Sequence, residues 1–228
     1  MRLNKFLANS LGISRREADN LIEKGRVIID GNVVKLGAQV NINQPVEVDG
    51  GTVKPLKKHT YLLFNKPEGY VCSRNTQGDT PTVYKLLPDK YKRLKTVGRL
   101  DKNSTGLILL TDDGDLAYQL THPKFAKEKV YEVELDKPLS TTHKDEIEDG
   151  VEIGDGLSRF KLKASKNFSE KIKNTKFLVY MREGRNRQIR RTFSALGYEV
   201  VKLHRIQFGP YKINGLESGE HREIAIGK

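Results

Sequence analysis

Four consecutive aliphatic residues, Leu107 to Leu110, stand between two turn-forming runs, and this arrangement constrains the chain more than any other. The stretch from Gly98 to Asp115 reads GRLDKNSTGLILLTDDGD. Ser104-Thr105-Gly106 precedes the apolar run and Asp112-Asp113-Gly114 closes it. A short apolar run bounded in this way predicts a buried strand with an exposed loop in front of it. Arg99-Leu100-Asp101 puts a cation and a carboxylate side by side in that loop. A rigid strand is a good mount for a loop that carries a reactive group. Taken alone, Asp101 also has an ordinary reading as a solvated turn residue, because only an unusual environment marks a working carboxylate.

Length and charge narrow the class. The 228 residues suffice for one large or two modest domains. Forty-one Lys and Arg against 29 Asp and Glu give a formal charge of +12. That excess points to a polyanionic partner, nucleic acid first and anionic membrane second. No apolar run approaches the ~18 residues that span a bilayer. Met1 to Ser10 lacks the apolar core of a secretory signal. Cys72 is the only cysteine, which excludes an internal disulfide and a thiolate metal cluster. The expectation is a soluble chain in a reducing compartment, the cytoplasm, with Cys72 as a small strand residue.

The first domain is expected over residues 1–58. Leu3, Phe6 and Leu7 share one face of a helix from Arg2 to Asn9, stopped by Gly12. Ser14-Arg15-Arg16-Glu17 fits a capping box. The helix it opens runs to about Lys24, with Ala18, Leu21 and Ile22 inside and Gly25 as its stop. Val27 to Ile29 reads as a strand, Asp30-Gly31 as a hairpin, and Val33-Val34 as the return. Pro45 to Val48 suggests another strand, and Lys54 to Lys58 a linker. Arg2, Lys5, Arg15, Arg16, Lys24 and Arg26 are exposed cations of the kind phosphate contacts need. By charge alone they read equally well as the solvated faces of two short helices.

The second domain is expected over residues 59–228. Tyr61 to Phe64 is an apolar strand, ended by the turn Asn65-Lys66-Pro67-Glu68-Gly69. Thr80-Pro81 opens a short helix with Thr as its cap. Asp112, Asp113 and Asp115 lack the closing Glu of an EF-hand, so they read as a capped turn before a helix to Thr121. Lys129 to Leu135 alternates, with Tyr131, Val133 and Leu135 on one face and Glu132 and Glu134 on the other. Thr141 to Gly150 is a polar helix, Val151 to Ala164 holds further strands, and Lys176 to Met181 is another. Arg182 to Arg191 then packs five Arg and one Glu into ten residues. Asn186 is a plausible cap for a helix whose stripe is Ile189, Phe193 and Leu196, stopped by Gly197. Tyr198 to Leu203 is the return strand, with His204 a strand or surface residue rather than a catalyst.

These stretches resemble one family. Gly98-Arg99-Leu100-Asp101 followed by Ser104-Thr105-Gly106-Leu107 is similar to the catalytic loop of the pseudouridine synthases. Lys66-Pro67 with Gly69, Lys129-Val130-Tyr131, Gly184-Arg185 with Gln188-Ile189-Arg190, and Leu203-His204-Arg205 with Gly209 resemble its other motifs. From Arg2-Leu3 through Ser14-Arg15-Arg16 to Val27 the chain resembles an S4 RNA-binding fold. The whole resembles the branch that modifies ribosomal RNA and carries an N-terminal S4 domain.

The resemblance implies an α+β architecture. A small S4-like αα-plus-β module precedes a mixed, largely antiparallel-sheet synthase domain with its cleft across one face. It implies that Asp101, Tyr131 and Arg190 are catalytic, with Arg190 against Asp101 and Tyr131 on the uracil. Arg99, Arg185, Arg187, Gln188 and Leu203 are expected to bind substrate, Leu203 under the base and Arg99 beside the flipped nucleotide. Arg2, Lys5, Arg15, Arg16 and Lys24 are expected to bind RNA. The implied reaction breaks the N1–C1′ bond of uridine, turns the uracil and rejoins it through C5. Asp101 serves it either by attacking C1′ or by taking a proton from C2′. No metal, cofactor or membrane is required. The expected partner is ribosomal RNA or a ribosomal assembly intermediate, bound by a monomer, with the subunit left open. The competing reading is a non-catalytic ribosome-assembly factor on the same scaffold, although such a protein is expected to lose Asp101, Tyr131 or Arg190.

Overall fold

The computed structural model describes residues 1–41, 43–56, 58–164 and 175–226. Lys57 of the expected linker and Lys228 at the expected domain end lie outside the described residues. The chain divides into two compact units, Met1–Thr60 with Arg93–Lys95, and Tyr61–Lys92 with Thr96–Lys228.

The first unit holds α1 (Leu3–Leu11), α2 (Arg15–Glu23), β1 (Val27–Ile29), β2 (Asn32–Val33), β3 (Val46–Val48) and β4 (Gly51–Thr52). Gly12 ends α1 in the left-handed conformation at φ 71°. The capping box at α2 is complete. The Ser14 Oγ accepts from Glu17 N at 3.1 Å, and Glu17 Oε2 accepts from Ser14 N at 2.6 Å. Asp30 and Gly31 both have positive φ, 49° and 78°, the two-residue turn that matches strand twist. That turn pairs Ile29 with Asn32, so the return strand starts one residue earlier than Val33. The ladder order is β2-β1-β3-β4. Leu3, Phe6, Leu7, Ala18, Ile22 and Val27 form the core that the helices close over it.

The second unit holds β5 (Tyr61–Lys66), all but the first residue of β6 (Lys95–Val97), β7 (Thr105–Thr111), α3 (Gly114–Thr121), β8 (Lys129–Leu135), α4 (Thr141–Asp149), β9 (Val151–Glu152) and β10 (Leu157–Ser158). It continues through β11 (Lys161–Ala164), β12 (Lys176–Met181), α5 (Gln188–Ala195), β13 (Val200–Phe208), β14 (Tyr211–Lys212) and β15 (His221–Ile224). The main sheet runs β11-β12-β8-β13-β7-β5-β15, with β14 on β13 and β6 on β7, and β9–β10 forms a separate ribbon. Along that path only β13–β7 is parallel. The expected α+β, largely antiparallel architecture is therefore observed.

β7 is buried from Gly106 to Thr111. Leu107 and Leu109 pack with Leu63, Leu120 and Phe208, while Ile108 and Leu110 are buried on the opposite face. A strand covered on both faces needs an unbroken apolar run instead of alternation. Each of these side chains contributes roughly 1.5–3 kcal/mol by leaving water. Where β7 meets β13, Gly106 sits at φ 106°, and a Cβ there would lie 2.3 Å from the Arg205 carbonyl oxygen. Only glycine permits that approach.

Four local expectations are corrected. Thr80-Pro81 opens no helix. Pro81 O accepts from Val71 N and Val71 O accepts from Val83 N, both at 3.0 Å, so this segment is held extended and a 3₁₀ turn starts at Val83. Asn186 does not cap α5. The residue before the helix is Arg187, left-handed at φ 48°, and the Gln188 side chain reaches back to accept from Arg185 N at 3.1 Å. Cys72 lies in a bend, where its Sγ accepts from Leu100 N at 3.4 Å. Leu196 is only half-buried, and the buried stripe of α5 is completed by Gln188 and Thr192.

Candidate active site

The loop between β6 and β7 carries Asp101, and its backbone is fastened carbonyl by carbonyl. Asp101 O accepts from Ser104 N at 3.1 Å, which closes a turn. Lys102 O accepts from Gly69 N at 2.9 Å. Asn103 O accepts from Arg190 Nη2 at 2.6 Å, and Ser104 O from Lys66 Nζ at 2.6 Å. Lys66, at the end of β5, is 0% exposed and also donates to Pro67 O at 2.9 Å. Burial pulls its amine below the usual lysine value, against the attraction of Cys72, Asp101 and Glu68. A buried cation thus spends its hydrogen bonds on the loop beneath the carboxylate.

The Asp101 side chain is 22% exposed and its carboxylate pairs with the Arg99 guanidinium at 3.8 Å. Arg99 itself is 71% exposed, so this ion pair is loose and weak. Arg190 does not bond the carboxylate. Its Nη1 donates to Val200 O at 2.6 Å and its Nη2 to Asn103 O, so it joins α5, β13 and the loop from behind. Burial, and then the charge of Arg187, pull Arg190 below its ordinary value, with Asp101 acting in the opposite direction.

In front of the loop a cleft of about 460 Å³ opens within the second unit. Asp101, Tyr131, Arg187 and Leu203 line it, as do Arg99, Arg185 and Gln188; Arg190 stands outside the lining. Tyr131 on β8 faces Arg205 on β13, and Val133 faces Leu203. Alternation therefore sets Tyr131, Leu203 and Arg205 on one face of the sheet.

Two of the expected substrate residues are occupied inside the protein. Arg185 Nη1 donates to Asp155 O at 2.9 Å and Gly156 O at 3.1 Å, and Nη2 to Leu157 O at 2.8 Å. Gln188 Nε2 donates to Ser158 Oγ at 3.0 Å and to the Glu183 carboxylate. Both residues pin the arginine-rich loop to the β9–β10 ribbon. Arg191 joins them through Ile153 O and the Asp155 carboxylate, and that bond holds Asp155 below the usual carboxylate range. Arg187 is exposed at the cleft and held in left-handed backbone.

Three side chains at or behind the cleft, Lys66, Arg205 and Lys129, stand in the family-like motifs without a role assigned to them from sequence. Lys66 has been described. Arg205 is 3% exposed and lies on the cleft floor. Lys129 lines the same cleft and donates to Glu183 O at 3.2 Å. Burial, then the charge of Arg205, pull its amine down. The available signals were Lys66 directly after an apolar strand and Arg205 two residues beyond Leu203, which in a strand means the same face.

In the first unit, Arg2 stands before α1, Lys5 lies on it, Arg15 and Arg16 open α2, and Lys24 follows α2. Arg15 Nη2 donates to Asn4 Oδ1 at 3.2 Å, which ties the start of α2 to α1. Arg26 is committed to Asp49. Among the described residues no group of three His, Cys, Asp or Glu is placed to hold a metal ion, and no helix is long and apolar enough to cross a membrane. In the Asp112-Asp113-Asp115 stretch it is Asp113 that caps α3, its Oδ1 accepting from Asp115 N at 3.0 Å and Leu116 N at 3.1 Å.

Residues 60–195 match the family model described as RNA pseudouridylate synthase, and residues 1–46 match the S4 domain. The chain is 38% identical to the ribosomal small subunit pseudouridine synthase A of Yersinia pestis, over 98% of this chain and 94% of that one. It is 36% identical to the ribosomal large subunit pseudouridine synthase B of the same organism, over 99% of this chain and 73% of that one. A crystal structure of a pseudouridylate synthase superposes with a TM-score of 0.69 at 32% identity, covering 99% and 96% of the two chains. The chain belongs to the RNA pseudouridylate synthase family and carries an S4 domain at its N-terminus.

Proposed function

We propose that this enzyme isomerises uridine to pseudouridine at a specific site in ribosomal RNA, acting as a cytoplasmic monomer without metal or cofactor. The carrying observation is Asp101 at the cleft, on a loop whose four successive carbonyls from Asp101 to Ser104 are all hydrogen-bonded. A carboxylate held this firmly beside a pocket suits a reaction at a sugar carbon that becomes electron-poor.

In this reading the S4 cations Arg2, Lys5, Arg15, Arg16 and Lys24 contact phosphates, and the target nucleotide leaves its stack at a cost of a few kcal/mol. Tyr131 packs on the uracil and Leu203 supports it from below. Arg99 swings from its loose contact with Asp101 to the vacated space or a phosphate, and Arg187 takes the flanking backbone. Asp101 acts at C1′ or at the C2′ proton. Arg190, Arg185 and Gln188 are positioning residues, the first for the catalytic loop and the others for the loop of Arg187. The small- and large-subunit relatives support ribosomal RNA as the substrate class.

The test uses both ribosomal RNAs, naked and in assembling particles, labelled with tritium at uridine C5. Rejoining through C5 releases that tritium. Wild-type protein is expected to release it from one RNA and Asp101→Asn to release none. Release by Asp101→Asn, or none by wild type from any of these substrates, contradicts the proposal.

A further inference from the structure

Arg205 is a buried cation whose hydrogen bonds are not all used. Its Nε donates to Leu107 O at 2.7 Å, but its Nη2 is buried and meets no acceptor. Its surroundings are aromatic. The guanidinium carbon is 4.8 Å from the Phe208 ring centroid and 6.0 Å from that of Tyr131. Lys129 Nζ lies 5.6 Å from the same Phe208 ring centroid. Among the described residues neither cation pairs with a carboxylate. Leaving a charged donor unsatisfied in such a place is costly, so a site built this way awaits a negative group.

The isomerase reading, on which this inference rests, produces such a group. We propose that Arg205 is a catalytic residue that stabilises the uracil anion released when the glycosidic bond breaks. In that step the C1′–N1 bond breaks and its electron pair stays on N1 of the uracil, while Asp101 bonds C1′ or removes the C2′ proton. The negative charge spreads over O2 and O4. Tyr131, opposite Arg205 in the ladder, is where the base packs, so a uracil carbonyl comes to the guanidinium. A fixed cation among aromatic rings favours the charge as it develops and needs no reorganisation. Lys129 adds to the same field. A phosphate is a less suitable occupant. Arg205 is 3% exposed on the cleft floor, whereas Arg99 and Arg187 are the exposed arginines of the cleft.

The test compares uridine RNA with RNA containing 5-fluorouridine, whose fluorine draws electron density from the ring and stabilises the departing anion. Single-turnover loss of the starting nucleoside is followed for wild type, Arg205→Gln and Arg205→Lys. For Arg205→Gln the rate on uridine RNA is expected to fall roughly 100-fold, in the range for removing one charge-stabilising donor. The loss on 5-fluorouridine RNA is expected to be several-fold smaller, and RNA affinity to stay nearly constant. Arg205→Lys, which keeps the charge, should recover part of the rate. If Arg205→Gln does not fold, Arg205→Lys must show the same inequality between substrates, at smaller size. Equal losses on both substrates overturn the proposal in favour of a structural role. A loss confined to affinity and its salt dependence overturns it in favour of a phosphate contact. Wild type inactive on every RNA removes the isomerase reading itself.

Discussion

Arg190 donates to the carbonyl of Asn103 at 2.6 Å, two residues beyond Asp101, and leaves the Asp101 carboxylate to Arg99. The arginine is a fastener for the loop. Arg190→Lys keeps the positive charge but cannot reach both Val200 O and Asn103 O with a planar fork. Hydrogen bonds from charged groups contribute about 1.5–3 kcal/mol, so kcat should fall roughly 10- to 100-fold. RNA affinity should barely change. Full activity in Arg190→Lys, measured by tritium release, would show that charge alone suffices.

Gly106 has no room for a side chain. A Cβ there would stand 2.3 Å from Arg205 O and 2.5 Å from Arg205 N, backbone atoms of a central strand that have no free direction to move. Gly106→Ala should cost about 3 kcal/mol or more, at the upper end for overpacking, because strain at φ 106° adds to the clash. Gly114→Ala is the control, since nothing lies within 4 Å of a Cβ at that position. Thermal unfolding should show a large fall in Tm for the first and little change for the second.

The ease of reading particular elements from sequence follows from how local their causes are. The capping box of Ser14 and Glu17, the glycine stops at Gly12 and Gly25, and the strand of Leu107 to Leu110 depend on neighbours in the chain, and each is found where expected. Thr80-Pro81 looked like a helix start, but pairing with Val71, about ten residues away, overrides that preference. Arg185 looked like a phosphate ligand, yet its partners at Asp155 to Leu157 lie about thirty residues upstream. Family motifs placed Asp101, Tyr131 and Leu203, and the structure brings them to one cleft. The burial of Lys66 and Arg205 was hidden because charged residues are ordinarily exposed, and only tertiary packing shows these two inside.

Arg15 and Arg16 stand exposed at the start of α2. If both meet phosphates, Arg15→Ala with Arg16→Ala should flatten the slope of log affinity against log salt by ~1.4–1.8. Asp101 is untouched, so kcat at saturating RNA should persist. Binding titrations at several salt concentrations check this, and an unchanged slope excludes the contact.

His204 on β13 shares a 2.8 Å hydrogen bond with Thr105 Oγ1. Burial lowers its pKa from the ordinary 6.5, with Glu132 acting in the opposite direction. Below about pH 6.5 the unfolded chain binds a proton that the fold resists. This contribution to stability is therefore complete above that pH and lost as pH falls through the lower folded value. Tm should fall less steeply on acidification from pH 7 to pH 5 in His204→Gln than in wild type. Parallel profiles would contradict the assignment.

The central claim is isomerisation of one uridine in ribosomal RNA by the carboxylate of Asp101. The most direct measurement is carbodiimide mapping of pseudouridine in both ribosomal RNAs from cells with the gene, without it, and with Asp101→Asn in its place. One site lost with the gene, restored by wild type and still absent with Asp101→Asn, is the predicted result. A site restored by Asp101→Asn, or no site lost in either RNA, would contradict it.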